Sequence, residues 1–180
     1  MNFLKKAISI IGIIITFFLI YFLQINFFSW FNISSIKPNL FIVLILCIGL
    51  FIGKKIVIIF GFLFGIYLEL LTGKQIGISS IMFCVIGFLA TYFDKKVSKD
   101  SKITILLMVA GSTILFETVV YIYSCVVYLV PMQIIGFIKI LFIEVLFNVL
   151  LTIILYPIIK KTGYFFESSF KKGRVGFGQF

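Results

Sequence analysis

Histidine is absent from this 180-residue chain, and charged side chains make up only 12% of it. Without histidine, the chain lacks the commonest metal ligand and the commonest general base. Its three cysteines, Cys47, Cys84 and Cys125, lie far apart in apolar stretches, so we interpret them as packing residues and not as disulfides or metal ligands. A phosphate-cradling glycine loop and a serine beside a base are also missing. The sequence therefore predicts no catalytic, cofactor-binding or metal site, and a protein that is not an enzyme.

Hydrophobic residues, in contrast, fill 62% of the chain in long runs that short lysine clusters separate. The runs are close to the ~20 apolar residues that a ~30 Å hydrocarbon core requires. A soluble domain of this size could not bury so much apolar surface. The sequence predicts an all-α integral membrane protein, with residues 1–180 forming a single polytopic domain. Six spans are expected, followed by a basic and aromatic cytoplasmic tail at 160–180: about 7–25, 39–53, 56–72, 76–93, 103–130 and 139–159.

The net charge of +10 is distributed as a membrane topology signal. With the N-terminus inside, thirteen basic residues fall in cytoplasmic segments, and only Lys37, Lys74 and Lys139 fall outside. This positive-inside bias predicts that both termini are cytoplasmic. It also predicts attraction to anionic lipids at the cytoplasmic face, and it argues against nucleic-acid binding.

The second span is unusually short, with about 15 residues from Asn39 to Gly53. At ~1.5 Å per residue it reaches only ~22 Å. A segment this short must be surrounded by protein, or the bilayer must thin around it.

Glycine spacing is the first candidate signal of function. Gly49 and Gly53 stand four residues apart on span two, and Gly61 and Gly65 do so on span three. On a helix, each pair would make a smooth groove where another backbone can approach closely. Packing inside the bundle and binding of another membrane protein both remain open. Gly73, after span three, is expected to take a left-handed C-cap.

Three carboxylates inside predicted spans, Glu69, Glu117 and Glu144, are the second signal. A charge in the bilayer costs at least ~2.5–3.5 kcal/mol, so each position requires a reason. Glu69 and Glu144, the latter one turn from Asn148, are expected in a polar cluster under the outer face, with Lys139 nearer the surface. Glu117 is expected near mid-bilayer, either protonated or facing a hydrated cavity. Hydrogen bonds between helices and a role in transport both remain open.

A further set of residues shares an order and a spacing along the second to fourth spans. It comprises Ile36-Lys37-Pro38-Asn39-Leu40, then Gly49 and Gly53, then the run from Gly61 to Glu69, and then Gly73, Gly77 and Gly87. This arrangement resembles the MreD family of rod shape-determining proteins, most densely from about residue 36 to 93. The family usually shows Asp where this chain has Glu69, so the carboxylate is kept with one extra methylene.

The resemblance implies a bacterial cytoplasmic-membrane protein that works as a non-enzymatic scaffold or adaptor in cell elongation. Its implied partners are MreC, the polymerase RodA, a class B penicillin-binding protein and the actin-like MreB. Glu69 would orient the bundle against one of these partners. The family fold is also similar to the substrate-binding subunits of energy-coupling-factor vitamin transporters, which supplies the alternative function. Those subunits typically present an Ala-x-x-x-Ala face on the first span, whereas this chain has Ala7 and Ile11.

Overall fold

The computed structural model describes residues 2–27, 36–73, 77–94, 101–129 and 131–170, and within these ranges the chain is all-α. The described part contains six α-helices: α1 (Asn2–Phe22), α2 (Leu40–Phe51), α3 (Lys54–Thr72), α4 (Ile78–Asp94), α5 (Lys102–Tyr128) and α6 (Ile134–Phe170). A π-helical segment, Leu23–Phe27, continues α1. By length and composition, α1 with this extension, α3, α5 and α6 can each cross a membrane, whereas α2 and α4 are shorter apolar helices. The predicted helical membrane protein is confirmed.

Two expectations from the sequence lie outside the described residues. One concerns Lys74, which precedes the fourth predicted span, and the other concerns the end of the tail, residues 171–180.

The short helix α2 lies at the centre of the bundle. It has 12 residues, and every one of them except Cys47 is buried. Its neighbours are α1, α3, α4, α5 and α6. This explains why α2 carries no polar face, since an enclosed helix meets apolar side chains on all sides. The expectation that protein surrounds this short segment is confirmed.

Aromatic side chains join the outer helices to one another. The rings of Phe17 in α1 and Phe64 in α3 stack with their centroids 4.0 Å apart. Phe83 of α4 and Phe116 of α5 stack at 5.5 Å. Aromatic pairs at these distances contribute about 0.5–1.5 kcal/mol beyond the area they bury. The phenylalanines therefore stabilise contacts between helices that are distant in sequence.

Helix α6 is longer than the predicted sixth span. It has 37 residues and continues through Pro157 to Phe170, whereas the span predicted from the sequence ends at 159. Gly163 lies against the ring of Phe51, where an added Cβ would come within 2.6 Å of a ring carbon. The ring of Tyr164 packs on Phe51 at 5.5 Å.

Residues 160–170 are therefore a helical continuation of α6 packed on α2, and the cytoplasmic placement of the tail at 160–180 stays a prediction. The lysines at 160 and 161 mark the end of an apolar run, but lysine is a good helix former and does not end a helix. At ~1.5 Å per residue, α6 is about 55 Å long, well beyond a ~30 Å hydrocarbon core.

Candidate functional site

The Glu69 carboxylate closes the turn between α3 and α4. One oxygen accepts a hydrogen bond from the backbone N–H of Gly77 at 2.6 Å and another from the Ser80 hydroxyl at 3.2 Å. The other oxygen accepts from the backbone N–H of Ser79. These amides open α4, where backbone N–H groups have no partner inside the helix and the helix dipole favours a negative charge. Glu69 therefore caps α4 from the neighbouring helix.

Two glycines make this cap possible. Gly73 ends α3 with φ +63°, the left-handed C-cap that the sequence predicts, and its N–H donates to the Glu69 carbonyl oxygen. Gly77 has φ +120°, a conformation that side chains with a Cβ rarely adopt. Its backbone can therefore turn the N–H toward the carboxylate.

The burial of Glu69 changes the interpretation of its role. Only 1% of the side chain is exposed. The side chain is therefore directed into the bundle, at the start of α4, and its orienting role against a partner stays a prediction. Ser79 donates its backbone N–H to Glu69, and Ser80 donates its hydroxyl.

The glycine pair of α3 lies against the backbone of α4. A Cβ added at Gly65 would come within 2.3 Å of the Cα of Ser80, and one at Gly61 within 3.1 Å of the carbonyl of Phe83. In the opposite direction, a Cβ at Gly87 of α4 would meet a methyl group of Val57 at 2.3 Å. These glycines set the close approach of the two helices.

The pair on α2 does not act as a pair. Gly49 packs against α4, where an added Cβ would lie 2.7 Å from the Cβ of Ala90. The Thr91 hydroxyl lies 3.2 Å from the Gly49 carbonyl oxygen and donates to it. Gly53, however, lies in the turn before α3 with φ +120° and has no neighbour within 4 Å of an added Cβ. The predicted groove through both glycines is therefore wrong, because α2 ends before it reaches Gly53.

A second polar contact joins α2, α5 and α6 through Asn148. The Asn148 Oδ1 accepts from the backbone N–H of Asn39 at 2.8 Å, and its Nδ2 donates to the Thr113 hydroxyl at 3.0 Å. Gln24 adds to this site by accepting the N–H of Leu40 at 3.3 Å. Together these bonds hold the start of α2, which follows the buried Pro38.

The other two carboxylates occupy different surroundings. Glu144 is buried, at 7% exposure, one turn before Asn148 on α6. Glu69, in contrast, directs both of its carboxylate oxygens at the start of α4. Glu117 is half-buried and lines a cavity of about 290 Å³ between α5 and α6, together with Ser124 and Gln133.

Sequence reasoning noticed Glu144 and Asn148 but missed the row to which they belong. Glu144, Asn148, Thr152 and Tyr156 recur every four residues along α6, and all four are buried. Residues four apart lie on one face of a helix. This spacing was the available signal that one face of α6 is turned toward the bundle.

Among the described residues, no group of three or more Cys, Asp or Glu side chains is placed to hold a metal ion. The three cysteines are free thiols. The Cys84 thiol lies 3.4 Å from the carbonyl oxygen of Ile58, to which it donates. Glu69, Asn148 and Cys84 each connect their own helix to another one.

Comparison with known proteins gives one finding. The family model described as rod shape-determining protein MreD matches residues 5–163 of the chain. No curated protein and no solved structure matches.

Proposed function

Because the chain belongs to the MreD family of rod shape-determining proteins, we propose that it is a non-enzymatic scaffold of bacterial cell elongation. The family is a structural, shape-determining one, and this chain is a multi-pass protein of the bacterial membrane. The scaffold role is to couple peptidoglycan synthesis to the proteins that guide it along the sidewall. The observation that carries the proposal is the family match over residues 5–163.

The use of polar groups in the bundle supports this role. Glu69 and Asn148 both direct their hydrogen bonds at neighbouring helices. The outward faces carry large apolar side chains, among them Ile15, Ile103 and Ile154. A rigid bundle with extended apolar faces offers other membrane helices a fixed surface on which to pack.

The proposed partners are MreC, RodA, a class B penicillin-binding protein and MreB, as the family resemblance implies. Both termini are proposed to be cytoplasmic, with the lysine clusters facing anionic lipids of the inner leaflet. Within this arrangement, Pro38, Asn39, Glu69 and the glycines shape the bundle. Contacts with partners are made by the outer faces of the helices.

The alternative function is that of a substrate-binding subunit of a vitamin transporter. The cavity between α1, α2 and α6 has a volume of about 300 Å³ and is lined mainly by aliphatic side chains. Thr16 and Thr162 are the lining residues that carry a hydroxyl group. The Thr16 hydroxyl already donates a hydrogen bond to the Gly12 carbonyl oxygen. A vitamin with several polar groups would find few partners there. The apolar lining of this cavity therefore favours the scaffold role over vitamin binding.

Affinity purification of the tagged chain from its native membrane, followed by mass spectrometry, tests the proposal. We expect recovery of MreC, RodA and a penicillin-binding protein, because the transmembrane helices of these partners would remain packed on the bundle in mild detergent. Recovery of a transporter's coupling subunit with paired ATPases would instead establish the alternative.

A Gly65→Leu preparation serves as the matched control for specific recovery. This substitution forces α3 and α4 apart, so partners that bind the folded bundle should be lost. Proteins that remain with the variant bind the tag or the detergent micelle, and a partner among them would count against the scaffold role.

A further inference from the structure

Three lysines line one depression between the start of α5 and the cytoplasmic part of α6. Lys102, Lys160 and Lys161 lie around a cavity of about 490 Å³ together with two phenols, Tyr156 and Tyr164. None of the described residues that line it is a carboxylate. The depression therefore brings three cationic side chains together on one concave surface.

The walls of this depression are held in place by packing. Tyr156 is buried, at 7% exposure, and the Nζ of Lys102 lies 5.4 Å from the centroid of its ring. The ring of Tyr164 packs on Phe51 of α2 at 5.5 Å. Both phenols are thus anchored by other helices, so the lysines surround a defined concave surface and not a mobile chain end.

The floor of the depression is apolar. Pro157 and Ile153 line it on the membrane side, one and two turns respectively before the lysine pair of α6. The lysines lie where the apolar run of α6 ends. An apolar floor beneath a cationic rim matches a molecule that has an acyl chain next to a negatively charged phosphate.

We propose that this depression binds one anionic phospholipid, with its phosphate between Lys102, Lys160 and Lys161 and its acyl chain along Ile153 and Pro157. The ligand chemistry is a phosphate group. A lipid source is favoured because inorganic phosphate would use the rim and leave the apolar floor exposed. The site rests on the cytoplasmic placement of these lysines given under the proposed function, but not on the scaffold role.

Native mass spectrometry of the purified full-length chain in detergent tests the site. Phosphatidylglycerol, phosphatidylcholine and inorganic phosphate are titrated separately, and the fraction of protein that carries one ligand is measured. We expect a single tightly retained phosphatidylglycerol and much weaker retention of phosphatidylcholine. Replacing Lys102, Lys160 and Lys161 together by Gln should weaken phosphatidylglycerol binding on the order of 100-fold, since each lysine near an anionic headgroup contributes about 1 kcal/mol.

The chain offers a control with the same change of charge. Lys5, Lys6 and Lys55 are exposed and line none of the walls described above, so replacing these three by Gln should change binding by less than about twofold. Equal losses of phosphatidylglycerol binding in both triple variants would mean that lysines anywhere on the chain attract the lipid equally. That result would overturn the proposal. Equal retention of phosphatidylcholine would also overturn it, as would displacement of the lipid by inorganic phosphate.

A single substitution keeps the test decisive if the triple variant folds poorly. Lys161 is exposed, so Lys161→Gln leaves the helix contacts intact and should weaken binding about fivefold. Unchanged binding in this variant would contradict the proposal. Recovery of partner proteins plays no part in this measurement, so failure of the lipid site and failure of the scaffold role are distinguished.

Discussion

At the scale of single residues, Glu69 shows how a carboxylate can be accommodated inside an apolar bundle. It accepts hydrogen bonds from two backbone N–H groups and one hydroxyl, which together replace its water shell. Hydrogen bonds to a charged group contribute about 1.5–3 kcal/mol each, whereas neutral ones contribute about 1 kcal/mol. The start of α4 supplies backbone N–H donors that have no partner inside the helix. The acid and the helix start therefore stabilise each other.

We expect Glu69→Gln to destabilise the fold by about 2 kcal/mol. The amide would keep one acceptor but turn an N–H₂ donor toward a backbone N–H, so one hydrogen bond becomes a repulsive contact. Thermal unfolding of the purified protein in detergent, followed by tryptophan fluorescence, measures the change.

Ser80→Ala is the matched control for this prediction. It removes the hydroxyl donor and leaves both backbone donors on Glu69, so a loss of about 1 kcal/mol or less is expected. Glu69→Asp should fall between wild type and Gln, because a shorter side chain reaches fewer of the donors. If Glu69→Gln unfolds at the wild-type temperature, the cap does not contribute to stability.

At the scale of helices, α3 and α4 approach each other through glycines on both sides. Gly61 and Gly65 expose the backbone of α3, and Gly87 of α4 receives the side chain of Val57. Lipid tails supply no hydrophobic drive for helix association, so close van der Waals contact must supply much of it. The α3–α4 hairpin is therefore the contact that tolerates added volume least.

We expect Gly65→Leu to destabilise the bundle by about 1–3 kcal/mol or more, because the new side chain would meet the backbone of Ser80. Gly111→Leu provides the comparison, since no atom lies within 4 Å of a Cβ added at Gly111. This second change should be neutral or stabilising by up to about 1 kcal/mol, because leucine favours a helix over glycine.

The effect of each glycine substitution on stability is measured by how much protein accumulates in the membrane and by how well it resists proteolysis. We expect the Gly65→Leu protein to accumulate poorly and to be sensitive to protease. The Gly111→Leu protein should accumulate and resist protease as the wild type does. Equal behaviour of the two would show that the Gly65 contact is not close in the membrane.

Sequence could predict the helices but not every contact between them. Apolar runs and lysine clusters identified the enclosed α2, because length and hydropathy are properties of one segment. The Glu69 cap crosses the turn between two helices, and Gly53 falls just beyond the end of α2. Both depend on where a helix stops, which spacing alone does not determine. The end of α6 was missed for a related reason, since charge ends a membrane span but not a helix.

At the scale of the whole molecule, the other five helices of the described residues surround α2, and α6 extends past the expected membrane boundary. The lysines at the ends of the helices give the bundle its proposed orientation, with the start of α3 and the end of α6, from Lys160 on, in the cytoplasm. The same orientation places the start of α6 outside. The lipid site and the contacts with cytoplasmic partners both depend on it.

Cysteine labelling of spheroplasts tests this orientation. In a background with Cys47, Cys84 and Cys125 replaced by Ala, we expect a membrane-impermeant maleimide to label Lys139→Cys. Lys55→Cys should react only after the membrane is permeabilised. Both side chains are exposed, so differences in labelling report the side of the membrane. The opposite pattern would invert the topology.

The enclosed position of α2 also has a consequence for biogenesis. Its 12 residues span only about 18 Å, too little for a segment to cross the bilayer alone as it leaves the ribosome. The helices that cover it are mostly synthesised later, since only α1 precedes it. We therefore expect α2 to insert together with α3, to which the Gly53 turn connects it, so that the two enter the lipid as one hairpin. A ribosome that pauses between these helices would leave the most apolar segment of the chain at the mouth of the translocon.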